Sequence, residues 1–247
     1  MPVVNNNTIS LWSDLLPINN MEVREKYINP AQFAENEIIK SILSGRFAVG
    51  QALMPERELA GTLGITRPTL REVLQRLSSD GWITIKHGRP TIVNDFVNTG
   101  GLSVLKQLSH FNEFATRKLV NDWLEFRTLI LPDLARKAVE SEPDAILKFM
   151  ETGPGNDCDA SEFSKYDWEL QLLLIKCSDN TIAKMLFNDM SDNYLKQASA
   201  YFATEKGRSM SVRFYNALKE CIVNDPSMVQ TIVKIAMEES ILHWLEL

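Results

Sequence analysis

The apolar positions change period along the chain, and each change marks an element. Residues 1–27 are polar and Asn-rich, with Trp12, Leu15 and Leu16 as their apolar cluster, and read as an N-terminal extension. Phe33, Ile38, Ile42 and Leu43 then fall near helical spacing, with Asn29-Pro30 as a start signal and Gly45 as a stop. Leu59, Ala60 and Leu63 are the inner face of a second, short helix that Pro55 opens and Gly64 ends. Thr66 is the expected N-cap of a third helix, whose Leu70, Val73, Leu74 and Leu77 form an i, i+3, i+4, i+7 stripe. Two short helices across a Gly64-Ile65-Thr66 turn make a helix-turn-helix over about 56–75. After Gly81 the period falls to two. Trp82, Thr84 and Lys86 alternate with Ile83 and Ile85, His87-Gly88-Arg89-Pro90 turns, and Thr91-Ile92-Val93 returns. A hairpin in that position is a wing.

Gly100-Gly101 and Asn98 predict a linker over 97–101. From Leu102 to Leu247 the period is helical throughout, as in Leu119, Trp123, Phe126 and Ile130, or Phe214, Leu218 and Ile222. The loop Thr152 to Asp159 is the one clear break and is expected to be exposed. The expected fold is therefore mainly α: a winged helix-turn-helix over 28–96, three helices plus a β-hairpin, then an all-α bundle of six or seven helices over 102–247.

Charge changes this picture locally. The net charge is −6, yet residues 66–89 hold five Lys/Arg (Arg67, Arg71, Arg76, Lys86, Arg89) against two acids, Glu72 and Asp80. Residues 97–247 hold 16 Lys/Arg against 22 Asp/Glu. A basic recognition segment on an acidic body is the footprint of a groove-docking module and opposes non-specific coating of DNA. No run approaches the roughly 18 apolar residues of a membrane span, and the N-terminus lacks the parts of a signal peptide. Cys158, Cys177 and Cys221 form no CxxC pair, which fits a reduced, cytoplasmic protein.

The candidate DNA contacts follow from position. Arg57 opens the first helix of the motif, and Thr66, Arg67, Thr69 and Arg71 lie at the start of the second, the end that faces base edges in the major groove. Arginine reads guanine O6 and N7, while hydroxyls and helix-start N–H groups hold phosphate. Lys86, His87, Gly88 and Arg89 occupy the wing tip. Arg76 reads as ordinary helix-surface charge.

The segment PERELAGTLGITRPTLREVLQRLSSDGWITIKHGRPTIVN, Pro55 to Asn94, resembles the GntR family of winged-helix regulators, and TRPTLREVLQRL and DGWITIKHGRPT look like the recognition helix and wing of its FadR branch. The resemblance implies DNA contacts at Ala31, Arg57, Thr66, Arg67, Pro68, Thr69, Arg71, His87, Gly88 and Arg89. Pro68 stands where that branch usually has threonine, and Arg89 where it has lysine. In the C-terminal part LEFRTLI (Leu124 to Ile130), YDWELQLLLIKCSDNTIAKMLFNDMSDNY and EESILHW are similar to the same branch. They imply that Leu124, Arg127, Thr128, Tyr194, Glu239, Ser240 and Trp244 surround a long-chain acyl-CoA. The function so implied is a homodimeric regulator of fatty acid metabolism on double-stranded operator DNA. It would repress degradation genes, activate unsaturated fatty acid synthesis genes, and leave DNA when acyl-CoA binds. The FadR branch usually runs on past the position of Trp244, and part of its contact with the CoA end lies there.

Read alone, Leu124 and Trp244 are apolar helix positions that suit a core. Arg127, among Leu124, Phe126 and Leu131, needs an anionic partner, either an effector or a carboxylate of the chain such as Glu239. Related regulators hold a metal through Asp-x-x-x-His and further histidines. Here Gln171 follows Asp167 at that spacing, and the three histidines, His87, His110 and His243, cannot gather in the bundle. No metal and no cofactor are expected. An enzyme acting on acyl thioesters lacks a G-x-S-x-G and any histidine near a cysteine in sequence. A small organic acid or a free fatty acid stands as the alternative effector.

Overall fold

The computed structural model describes residues 29–108, 110–111, 116–155, 158–188 and 190–247; the expected extension over 1–27 lies outside them. The chain divides between Phe114 and Ala115 into two compact units.

In the first unit α1 (Pro30–Leu43) starts where Asn29 caps it, its side chain accepting from the Ala31 N–H at 3.0 Å. Helix α2 (Glu56–Leu63) ends on Gly64 at φ 63°, ψ 34°, the left-handed conformation that side chains disfavour. Gly64→Ala is expected to lower the stability of this unit by about 1–2 kcal/mol, measurable by denaturant titration. Helix α3 (Arg67–Asp80) begins at Thr66, whose Oγ1 accepts from the Thr69 N–H at 3.3 Å, and Pro68 sits in the first turn where its missing N–H leaves no bond unmade. The expected inner faces, Leu59, Ala60 and Leu63 of α2 and Leu70, Val73, Leu74 and Leu77 of α3, are all buried against Ile38, Ile42 and Phe47.

The wing is an antiparallel pair, β1 (Ile83–Thr84) and β2 (Ile92–Val93), with Ile83 opposite Val93 and Thr84 opposite Ile92. The expected alternation at its base does not hold, because Trp82 and Ile83 are both buried in the same core. The compact unit also extends past the linker expected at 97–101. Helices α4 (Phe96–Thr99) and α5 (Leu102–Leu108) follow the wing, and Val104 and Phe111 join the core of the DNA-binding unit. Gln107 of α5 ties this segment down: its Nε2 donates to Asp80 at 2.7 Å, and its Oε1 accepts from Trp82 Nε1.

The second unit has seven α-helices among its described residues, within the expected six or seven, and no strand. They are α6 (Arg117–Ser141), α7 (Pro143–Met150), α8 (Ala160–Cys177), α9 (Thr181–Asn188), α10 (Ser191–Phe202), α11 (Glu205–Asn224) and α12 (Val229–Glu246), with a 3-10 turn at Pro226–Met228. Helix α6 packs on α12 and α8, and α8 on α10. The face of α6 differs from the expected one. Leu119, Trp123, Phe126 and Ile130 are half-buried or exposed, whereas Val120, Arg127, Leu131, Leu134 and Ala138 face the core. That one-residue rotation places a cation on the buried stripe. The 152–159 break lies between α7 and α8; its described residues are exposed apart from the half-buried Pro154 and Cys158, and 156–157 fall outside the description.

Candidate DNA interface and ligand cavity

The start of α3 and the wing tip are exposed and cationic. Arg57, Thr66, Arg67, Pro68, Arg71, His87, Gly88 and Arg89 are exposed, Thr69 is half-buried, and the Thr66 and Thr69 hydroxyls lie 2.8 Å apart. Gly88 turns the wing at φ 69°, and the Arg89 N–H donates to the Lys86 carbonyl at 3.1 Å. Ala31 is half-buried, and the Asn29 cap uses its N–H.

Ion pairing sorts the cations. Arg71 Nε donates to Glu56 Oε2 of α2 at 2.8 Å, which joins the two helices of the motif at the surface. Arg76 pairs with the buried carboxylate of Glu35 on α1 at 2.9 Å, which joins α3 to α1. Arg57, Arg67, Lys86 and Arg89 have no ion pair among the described residues. These unpaired groups can meet phosphate or a base edge without first breaking an internal bond. An exposed pair such as Arg71–Glu56 contributes only about 0–1 kcal/mol, so Arg71 can exchange partners.

In the second unit a cavity opens between α6, α8, α10, α11 and α12, with about 790 Å³ of empty space counting its mouth. Its walls are apolar: Val120, Trp123, Leu124, Phe202, Phe214 and Met237. Leu124, Arg127, Tyr194, Glu239, Ser240 and Trp244 all line it. Thr128 does not; its hydroxyl donates to the Leu124 carbonyl one turn back, at 2.9 Å.

Arg127 is the unusual group here. It is 4% exposed, donates from Nη2 to Ser240 Oγ at 2.8 Å, and its buried Nε has no partner. Among the described residues no carboxylate lies within ion-pair distance of it. Glu239, the internal candidate, is held by Arg213 at 2.8 Å. A buried guanidinium that lines a cavity and leaves one N–H without a partner suits an acceptor from outside the chain.

Asp167, which entered the sequence reading only as half of a failed metal pattern, lines the same cavity and is buried. It accepts from Tyr194, from Gln171 Nε2 at 2.6 Å and from Tyr215 at 2.7 Å. Burial, then the Asp167 charge, pushes the hydroxyls of Tyr194 and Tyr215 well above the ordinary tyrosine range, so both remain neutral donors. Tyr201 and Tyr215 were not singled out by sequence, and Gln171 entered only as the other half of that metal pattern. Their contribution depends on which helices meet, and no local pattern records that. Among the described residues no group of three His, Cys, Asp or Glu could hold a metal, and no helix is long and apolar enough to cross a membrane. Burial pushes the Cys177 and Cys221 thiols up, away from nucleophilic use.

A helix-turn-helix with a wing, whose recognition end bears cations without ion pairs among the described residues, is the DNA-reading module of a winged-helix transcription regulator. Residues 30–93 match the bacterial regulatory proteins of the gntR family, and residues 94–247 match the FadR C-terminal domain. The chain belongs to the GntR family, as a FadR-type regulator. It is 40% identical over 192 residues to the "Fatty acid metabolism regulator protein" of Enterobacter sp. (strain 638), covering 78% of this chain and 80% of that one. The Klebsiella pneumoniae (strain ATCC 700721 / MGH 78578) protein of the same name is 38% identical over 190 residues, covering 77% and 80%. A solved structure of Lar, which controls expression of the Listeria monocytogenes agr system, shares the fold at TM-score 0.55 and 17% identity, covering 90% of this chain and 99% of that one.

Proposed function

We propose that this FadR-type regulator controls fatty acid metabolism genes, repressing degradation and activating unsaturated fatty acid synthesis, and that long-chain acyl-CoA binds the helical unit and releases the protein from its operator. The observation that carries the reading is Arg127, buried in a largely apolar cavity with an unpaired Nε and, among the described residues, no carboxylate within ion-pair distance. The apolar walls suit a hydrocarbon chain, and the free N–H suits an acyl carbonyl oxygen at its end. The relatives named as fatty acid metabolism regulators support a role in fatty acid metabolism.

The protein acts in the cytoplasm as a homodimer on a palindromic operator, so that two recognition helices meet half-sites one helical turn apart. It uses no metal and no cofactor. Acyl-CoA selects a form of the dimer in which the two helices no longer fit both half-sites, and its power to do so equals its difference in affinity for the two forms. Thermal-shift titrations with oleoyl-CoA, oleate and small organic acids test the effector. Oleoyl-CoA is expected to raise the melting temperature at micromolar concentration. A shift with a small acid alone would replace this reading with the organic-acid one.

A further inference from the structure

Two opposite charges are buried in one cavity without touching. Arg127 comes from α6 and Asp167 from α8, and Tyr194 stands between their influences: its hydroxyl donates to Asp167, while Arg127 acts on it electrostatically. Three donors converge on the Asp167 carboxylate, the Tyr194 and Tyr215 hydroxyls and Gln171 Nε2, the partners a carboxylate takes. The other charged pair at the cavity, Glu239 with Arg213, is closed on itself at the rim. The buried polar end therefore carries one positive and one negative charge.

We infer that Asp167 is the counter-charge of Arg127, and that this balance makes the cavity select an uncharged acyl carbonyl, such as a thioester, over a free carboxylate. The proposal rests on the acyl-thioester reading above and adds the residue that sets its selectivity. A carboxylate entering here would leave an uncompensated negative charge in a low-dielectric space, which costs far more than placing a neutral carbonyl there. A thioester carbonyl needs one donor, and Arg127 Nε is one free donor. Asp167 touches no ligand in this scheme; it is a positioning residue that acts through charge and through Tyr194.

Asp167→Asn tests it. The substitution removes the charge and keeps nearly the same volume. Gln171 Oε1, which has no partner, can accept from the new amide once the Gln171 amide turns over. The probes are oleoyl-CoA, the neutral N-acetylcysteamine thioester of oleic acid, and oleate, measured by calorimetry on the full chain. The native protein is expected to bind both thioesters and to bind oleate at least about tenfold more weakly than the neutral thioester. In Asp167→Asn oleate should gain at least about tenfold, closing that gap. Equal weakening of all three probes in the variant would mark Asp167 as structural only and overturn the proposal, as would equal binding of oleate and neutral thioester by the native chain. The native comparison needs no variant, so a poorly folded Asp167→Asn leaves the proposal testable. If the native chain binds neither thioester, the acyl-thioester reading fails, and the proposal with it; an unchanged ratio in the variant overturns the proposal alone.

Discussion

Arg127→Met is expected to leave the operator complex insensitive to oleoyl-CoA. Arg127 supplies an unpaired buried donor at the cavity, and Ser240 is its hydrogen-bond partner across the α6–α12 contact. Methionine fills similar space but offers no N–H, so the acyl carbonyl would be buried without a partner. Truncating one member of a buried, charge-assisted contact costs about 2–5 kcal/mol, which corresponds to a loss of roughly 30- to 4,000-fold in effector affinity. Calorimetry with oleoyl-CoA reads this directly. Lysine should not rescue it, because Lys carries its charge on a single terminal nitrogen and cannot hold Ser240 while presenting Nε. A variant that binds oleoyl-CoA within threefold of the native chain would remove Arg127 from the site.

Arg67→Ala should lower operator affinity about 10- to 100-fold, the range for one bidentate base contact. Arg67 is the first residue of α3, exposed, and free of internal ion pairs among the described residues. Its loss should relax specificity more than it lowers non-specific binding, since a base contact carries sequence information and a phosphate contact does not. Arg71→Ala should cost less, because Arg71 gives up its bond to Glu56 before it reaches DNA. Fluorescence anisotropy with operator and scrambled duplexes checks both. Equal losses on the two duplexes would make Arg67 a phosphate contact instead.

Much of this was legible in the residue pattern, because local rules govern it. Gly64 needs a left-handed backbone, Thr66 needs to cap, and Leu70, Val73, Leu74 and Leu77 share one face; each of these holds within a few residues of its cause. The parts that were not legible depend on distant helices. Val104 and Phe111 belong to the DNA-binding core only because Trp82 and Gln107 meet there. The stripe on α6 was placed one residue off because the apolar Phe126 was set on the inner face, whereas Phe126 and Leu129 are exposed and Arg127 takes the buried place. Thr128 turns back to its own helix, a choice among rotamers that spacing does not encode. Glu239 pairs with Arg213, 26 residues away on α11, and that pairing left Arg127 open. Asp167 was read for the metal it could not hold, and its three hydrogen-bond donors became visible only when α8, α10 and α11 were assembled.

The central claim is that one chain joins an operator-reading winged helix to a cavity that senses acyl-CoA. Its most direct test is the anisotropy of a labelled operator duplex bound by the full chain, titrated with oleoyl-CoA at fixed salt. The account predicts release of the duplex at micromolar oleoyl-CoA, with no release by coenzyme A alone. Unchanged operator affinity at saturating, calorimetrically verified oleoyl-CoA would contradict it.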